Sequence, residues 1–288
     1  MKSKAYGKIN LMLNISGVRE DGYHTLETVM QTVSLYDLVE ITLKKEKTIC
    51  LKCSLPYIPC DERNIAYKAA ALFFDAVGYH GGADISIKKN IPVGGGMGGG
   101  STDAAAVISM LDAMLESKMP AGEMEKLALS LGADVPFCLK KGTYLAEGIG
   151  EILTRLPDMP KCSIVLCKPK VSVSSKNAYG IYDRYPQKLN YDFKIMKSAL
   201  EKGDLRDVCS ALGNSFEPAI SESYPAIAEA RSRLERSGAC GCAMTGSGAV
   251  VFGIYKDVYK AQKTRAALRI SGYRAYCVSP VSSEGRKR

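Results

Sequence analysis

The chain has 288 residues, of which 46% are hydrophobic and 24% charged, with a formal charge of +9. That length and balance exclude a disordered chain or a small stapled scaffold, and predict one large or two medium globular domains. No apolar run reaches the roughly 18 residues of a bilayer span, and the N-terminus enters a strand pattern with no signal-like apolar block, so a cytoplasmic protein without a membrane partner is expected.

Residues 2–16 read as a strand, with Ile9, Leu11, Leu13 and Ile15 alternating with Asn10, Met12 and Asn14. Asp21-Gly22 is a hairpin turn signal. Strands are predicted over 25–34, 37–44 and 48–54. Residues 62–77 predict a helix with Ile65, Ala69, Leu72, Phe73 and Ala76 on its apolar face and Gly78 at its end. A strand over 83–88 leads through Ile91-Pro92-Val93 into Gly94-Gly95-Gly96-Met97-Gly98-Gly99-Gly100. Ser101 is the expected N-cap of the next helix, whose apolar positions are Ala104, Val107, Ile108, Leu111 and Leu115. Another helix spans 121–131, with Gly132 as its C′ residue.

Pro157, Asp158 and Pro160 predict a connection between domains, and the chain is divided there into 1–155 and 156–288. Beyond it, a strand over 163–168, helices over 191–200 and 224–237, a strand over 240–244, a turn at Thr245-Gly246-Ser247-Gly248, a strand over 249–254, a helix over 258–270 and a strand over 273–278 are predicted. That order is a split βαβ, ferredoxin-like unit, and the fold class is α+β.

Positive charge is dispersed, densest at Lys44-Lys45, Lys88-Lys89 and Gly285-Arg286-Lys287-Arg288. No basic stripe with interleaved aromatics marks a nucleic-acid groove, so the charge is assigned to solubility and to small polyanionic ligands. The ten cysteines fall mostly in apolar segments, as at Cys138, Cys162, Cys167, Cys209 and Cys277, and read as buried thiols. Cys50 with Cys53, and Cys240 with Cys242, are not completed by His24 or His80 into a four-ligand zinc site, and no metal site is assigned.

The glycine run carries the chemistry. So many glycines between a strand and a helix permit close backbone approach to a ligand. Successive N–H groups and the helix dipole then form an anion nest suited to a polyphosphate; a flexible surface loop is the alternative. No Gly-Lys-Ser/Thr closes a Walker A loop. Gly94, Gly96 and Gly99 match dinucleotide spacing, but the following strand with its acidic residue is missing.

The segment from Pro92 to Ala105 resembles the phosphate loop of the GHMP kinases. Ala5-Tyr6-Gly7-Lys8-Ile9-Asn10-Leu11 is similar to that family's N-terminal motif, and Met244-Thr245-Gly246-Ser247-Gly248-Ala249 to its third. The resemblance implies a two-domain GHMP kinase fold, with an N-terminal ribosomal-protein-like ATP-binding domain and a C-terminal ferredoxin-like substrate domain. It also implies ATP with magnesium as the phosphoryl donor. Within the family, Arg19-Glu20-Asp21-Gly22-Tyr23-His24-Thr25-Leu26 and Leu131-Gly132-Ala133-Asp134-Val135-Pro136-Phe137 point to members acting on a cytidylyl-methylerythritol.

On that resemblance Pro92, Val93, Gly94, Gly95, Gly96, Met97, Gly98, Gly99, Gly100, Ser101 and Thr102 bind ATP. Asp134 is the base and Lys8 its partner; a turn aspartate and an exposed strand lysine are the alternatives. Asn10 binds the methylerythritol hydroxyls. Tyr23 and His24 read cytosine, and Tyr179 supplies a second aromatic, with Tyr182 as the other choice. Asn64 is placed near adenosine, and Ser101 and Thr102 near phosphate or magnesium. A monomer or weak homodimer is expected. The rival readings are a GHMP kinase acting on homoserine or mevalonate, an RNA-binding module, and an inactive nucleotide sensor.

Overall fold

The computed structural model describes residues 1–20 and 22–283; Asp21 of the predicted turn and the basic segment 285–288 lie outside them. In chain order the elements are β1 (Lys2–Val18), β2 (His24–Lys44), β3 (Ile49–Cys53), α1 (Ile65–Val77), β4 (Gly82–Lys88), α2 (Gly99–Leu115), α3 (Ala121–Leu131), α4 (Val135–Lys140), β5 (Thr143–Gly148), β6 (Ile152–Arg155) and β7 (Ser163–Lys168). They continue with α5 (Ser175–Arg184), α6 (Phe193–Lys202), α7 (Leu205–Ser210), β8 (Gly213–Asn214), α8 (Glu217–Ser223), α9 (Pro225–Arg236), β9 (Gly241–Met244), β10 (Val251–Tyr255), α10 (Val258–Ile270) and β11 (Arg274–Val278).

The chain forms two compact units that are not consecutive segments: one holds 1–7, 35–91 and 98–140, the other 8–34, 92–97 and 141 onward. They differ from a single cut at 155–156 because β1 and β2 are long enough to serve both. In the first unit the C-terminal half of β2 pairs antiparallel with β4, from Leu38 with Lys88 to Lys44 with Gly82. β3 runs parallel to β4, and α1 to α4 belong to this unit. In the second, the N-terminal half of β2 pairs antiparallel with β5 over Leu26–Gln31, β5 turns back on β6, and β1 meets β8 at Met12 and Leu13. The second unit also holds a four-stranded antiparallel sheet in the order β11-β7-β10-β9. This is the strand order of a ferredoxin-like unit, as the sequence predicts.

β1 is buried on both faces over Gly7–Ile15. Its odd positions are apolar, and Leu13 and Ile15 enter the core with Val165, Cys167, Met244 and Val251. Its even positions are Lys8, Asn10, Met12 and Asn14, so a polar face is buried as well. Buried polar groups need partners.

The prediction of two strands over 25–34 and 37–44 is corrected to one strand of 21 residues. The predicted gap at residues 35–36 is strand, and the fully buried carboxylate of Asp37 beside it accepts from the amides of Asn90 and Ile91. The buried face of α1 is Ala66, Ala69, Ala70, Phe73 and Phe74, while Leu72 and Ala76 are exposed. The predicted start at residue 62 moves to 65 because Asn64 caps the helix: its Oδ1 accepts from the Ala66 amide at 2.9 Å, and its Nδ2 donates to the Pro59 carbonyl at 2.8 Å. Gly78, at φ 66°, closes α1 as predicted. All ten cysteines are free thiols, and burial pushes Cys162, Cys167, Cys209 and Cys242 up to about 12.

Asn64→Ala should lower stability by about 1 kcal/mol through loss of the cap. The urea midpoint measures this, and an unshifted midpoint would show the cap to be idle.

Candidate active site

The glycine run leaves β4 through Lys89–Pro92 and enters α2. Gly94, Gly96 and Gly98 have φ of 61°, 74° and 66°, a left-handed region that L side chains rarely adopt. The N-cap is Gly98, not Ser101, and α2 starts at Gly99. Ser101 and Thr102 therefore sit inside the first turn. The Thr102 hydroxyl, 3% exposed, donates to the Tyr6 carbonyl at 2.7 Å, so it anchors α2 to the start of β1. Ser101 remains half-buried and Gly100 exposed at the helix entrance.

Not every glycine answers to a ligand. In the second unit the run packs on the turn over 245–250. A Cβ on Gly96 would stand 2.1 Å from the Thr245 carbonyl, one on Gly95 2.8 Å from Val250 Cγ2, and one on Gly246 2.9 Å from the Gly96 carbonyl. The Val250 amide donates to the Gly95 carbonyl at 3.3 Å. Close approach of two backbones explains these positions without a ligand. Gly94, with Val93 beside it, is exposed.

Lys8 and Asn10 supply the next layer. Lys8 is 4% exposed, which excludes an exposed strand lysine, and its Nζ donates to Asn10 Oδ1 at 2.8 Å. Its backbone amide donates to the Met97 carbonyl at 3.1 Å, tying β1 to the glycine run. Asn10 is 1% exposed; its Nδ2 donates to Thr28 Oγ1 at 2.8 Å and its amide to Thr245 Oγ1 at 3.0 Å. The Thr245 hydroxyl has one proton and two acceptors in reach, Asn10 Oδ1 at 3.2 Å and the Gly96 carbonyl at 3.1 Å. Asn10 thus joins Lys8, Thr28 and Thr245 in one network. Ser247, half-buried, lies 3.3 Å from the hydroxyl of Ser175, the first residue of α5.

In the first unit Asp134 ends the turn between α3 and α4, and its carbonyl accepts from the Cys138 amide. The sequence did not show that a helix begins at once after it. Asp134 is therefore held from both sides, at the end of one helix and the start of another.

A buried charge cluster went unread in the sequence, where the charge at Lys88-Lys89 was assigned to solubility and small polyanionic ligands. The Lys89 side chain, 6% exposed, ion-pairs with Asp37 and with Asp103 Oδ2, the latter at 2.5 Å, and also donates to the carbonyl of Gly99, the first residue of α2. Two buried carboxylates face one ammonium. Asp37 meets Lys89 through its Oδ2, while Asp103 Oδ1 accepts no hydrogen bond among the described residues. Burial, opposed by Lys89 and reinforced by Asp37, pushes Asp103 up to about 7. Burial lowers Lys89, but Asp103 and Asp37 outweigh it and leave it raised.

In the second unit the sequence-predicted base readers meet. His24 opens β2, and its ring stacks on Tyr179 with centroids 4.5 Å apart and planes at 22°. Its Nε2 lies 2.8 Å from Asp183 Oδ1. Tyr182 meets His24 in a T-shaped pair with centroids 6.4 Å apart and is buried, whereas Tyr179 stacks on His24 face to face. Tyr179, Tyr182 and Asp183 are spaced i, i+3, i+4 on α5, one face of a helix. That helix was not predicted, and its spacing was the signal that could have found Asp183. Tyr23 is 64% exposed, and its carbonyl accepts from the Arg19 amide in the turn before β2.

The family descriptions "GHMP kinases N terminal domain" and "GHMP kinases C terminal" match residues 64–142 and 196–274. A 4-diphosphocytidyl-2-C-methyl-D-erythritol kinase of Clostridium botulinum (strain Eklund 17B / Type B) is 42% identical over 263 residues, covering 91% of this chain and 94% of that protein. A crystal structure of 4-(cytidine 5'-diphospho)-2C-methyl-D-erythritol kinase superposes with a TM-score of 0.83 at 32% identity, covering 97% of this chain and 99% of that one. A homoserine kinase from Cytophaga hutchinsonii shares the fold, with a TM-score of 0.73 at 19% identity over 96% of this chain and 94% of that one.

Gly96→Ala should destabilise the fold by about 2 kcal/mol or more, from left-handed strain and the close contact together. Gly122→Ala in α3, where a Cβ meets nothing within 4 Å, is the control and should be neutral or slightly stabilising; equal midpoints for the two would refute the packing account. For Asp103 the sign is set by its raised value: the native state holds a proton that the unfolded chain releases near pH 4, so its contribution to stability falls as pH rises from about 4 to 7. Asp103→Asn removes the surplus charge. Its melting temperature should gain on the parent's by a few degrees, on the order of 2–4 °C, between pH 5 and 8. Parallel profiles would show that Asp103 carries no such proton.

Proposed function

The chain belongs to the GHMP kinase family, and we infer that it transfers the γ-phosphoryl group of ATP to the C2 hydroxyl of 4-diphosphocytidyl-2-C-methyl-D-erythritol, giving the 2-phosphate and ADP. This is a step of non-mevalonate isoprenoid biosynthesis. The observation that carries the reading is the near full-length likeness to proteins of that name, at 42% identity. The stacked His24–Tyr179 pair beside Asp183 supports it, because an aromatic face with a hydrogen-bonding edge is what a pyrimidine needs.

The run from Pro92 to Thr102 receives the ATP phosphates. Its exposed amides and the N-terminus of the 17-residue α2 supply partial positive charge. Magnesium arrives on those phosphates and neutralises charge that develops in transfer; the half-buried Ser101 hydroxyl at the entrance of α2 is the side chain offered to it. Asp134 orients the acceptor hydroxyl and takes its proton. Lys8, buried beside Asn10, stabilises charge on the reacting oxygens. Asn10 holds Lys8 and hydrogen-bonds the methylerythritol hydroxyls. Tyr23, His24 and Tyr179 hold the cytosine.

The linear boundary at 155–156 is proposed as the family-domain boundary, with the two matched segments on either side of it. No helix among the described residues is long and apolar enough to cross a membrane. We propose a cytoplasmic enzyme, a monomer or weak homodimer, that binds no nucleic acid.

ADP release with ATP, magnesium and the cytidylyl substrate tests the reading, with homoserine as the control alcohol. Turnover with the cytidylyl substrate alone is expected. Asp134→Asn should lower kcat by about 100-fold or more with little change in KM, as expected for a general base. Turnover of homoserine instead would overturn the substrate, and full activity in the variant would overturn the base.

A further inference from the structure

His24 and Asp183 carry an inference about selectivity that rests on the cytidylyl reading above. The imidazole is held on two sides. Tyr179 covers one face at 4.5 Å, and Asp183 Oδ1 takes the ring nitrogen Nε2 at 2.8 Å. The His24 side chain is 10% exposed and that of Asp183 51%, so the imidazole is largely covered while the carboxylate reaches the surface. Tyr182 meets the imidazole in a T-shaped pair, and Lys188 lies over the ring of Tyr182 at 3.8 Å.

A carboxylate only accepts, so the Nε2 it faces carries the hydrogen. In the neutral imidazole the other nitrogen, Nδ1, is then an acceptor. No described residue hydrogen-bonds Nδ1. A cytosine presents a donor at its exocyclic N4, whereas a 4-oxo pyrimidine presents an acceptor at the same position. An acceptor at Nδ1 pairs with the first and repels the second.

We propose that Asp183 is a positioning residue that fixes His24 as the Nε2–H tautomer, and that this makes the pocket select a cytosine over a uracil. Asp183 does not touch the base. It acts through the ring that does, and through α5, which places it one helical turn from Tyr179. The stacking on Tyr179 holds the ring plane while the carboxylate sets its hydrogen polarity. Without the carboxylate, Nδ1 is free to take the hydrogen and turn donor, which suits a carbonyl.

The test uses the full chain with three substrates' worth of information: the cytidylyl substrate, its uridylyl analogue and ATP. Wild type should prefer the cytidylyl substrate. Asp183→Ala should raise its KM about tenfold with kcat nearly retained, the scale of one charge-assisted hydrogen bond, and should narrow the cytidylyl-to-uridylyl ratio of kcat/KM by a similar factor. Asp183→Asn, whose amide oxygen can still accept, should keep most of the wild-type ratio. Nitrogen-15 spectra of the His24 imidazole should show Nε2–H in the parent and a shift toward Nδ1–H in Asp183→Ala. A parent ring already carrying the hydrogen on Nδ1, an unchanged ratio in Asp183→Ala, or equal losses in the Ala and Asn variants would each overturn the proposal. A wild type that does not turn over the cytidylyl substrate at all would instead overturn the function on which it rests.

Discussion

One buried oxygen, the hydroxyl of Thr245, joins segments that are 235 and 149 residues apart, at Asn10 and Gly96. It accepts from the Asn10 amide and has a single hydrogen for two acceptors. Its contacts with Asn10 lie out of water, where an acceptor left unmade costs about 1–3 kcal/mol. The geometry tolerates little change, because the glycine run and the glycine turn approach until no Cβ fits between them. The polyglycine composition thus has two separable causes. Gly95, Gly96 and Gly246 let two backbones touch; Gly94 and Gly98, with positive φ, shape the run toward an exposed surface and start α2.

Lys89 and Lys8 are held in different ways. Lys89 faces two carboxylates, which fix it as an anchor beneath the first turn of α2. A buried pair of this kind adds little net stability over an apolar core, while loss of one partner is damaging. Its value is in registering β2, the strand exit of β4 and α2 against each other. Lys8 donates to the amide oxygen of Asn10 on the buried polar face of β1, so it is part of the network that runs from that strand to the turn at Thr245.

Elements whose signal is local were legible in the sequence. The bounds of β7, α3 and α10 agree with the periodicity and their flanking turns, and the order of β7, β9, β10 and β11 with α10 matches the expected ferredoxin-like unit. Features that depend on distant partners were not. Asp37 interrupts an apolar pattern, and only the amides of Asn90 and Ile91 show why a strand carries a buried carboxylate there. Ser101 is a good cap by type, but Gly98 in the left-handed region starts the helix earlier, since the loop's backbone path outweighs side-chain preference. α5 begins in Ser-Lys-Asn and has few apolar residues, so its weak pattern hid the face on which Tyr179 and Asp183 meet His24.

That face shows what a motif alone leaves out. Tyr23 and His24 name residue types that suit a pyrimidine, but a histidine offers a donor or an acceptor according to what holds its far nitrogen. Size excludes an added methyl group only modestly, whereas a polar atom of fixed sense rejects a ligand that presents the same sense, because the pair is then left unmade out of water. Cytosine and uracil have nearly the same shape, so shape cannot separate them. The selective element must be the direction of a hydrogen bond. In this fold that direction is set by a carboxylate on a neighbouring helix, one step removed from the ligand.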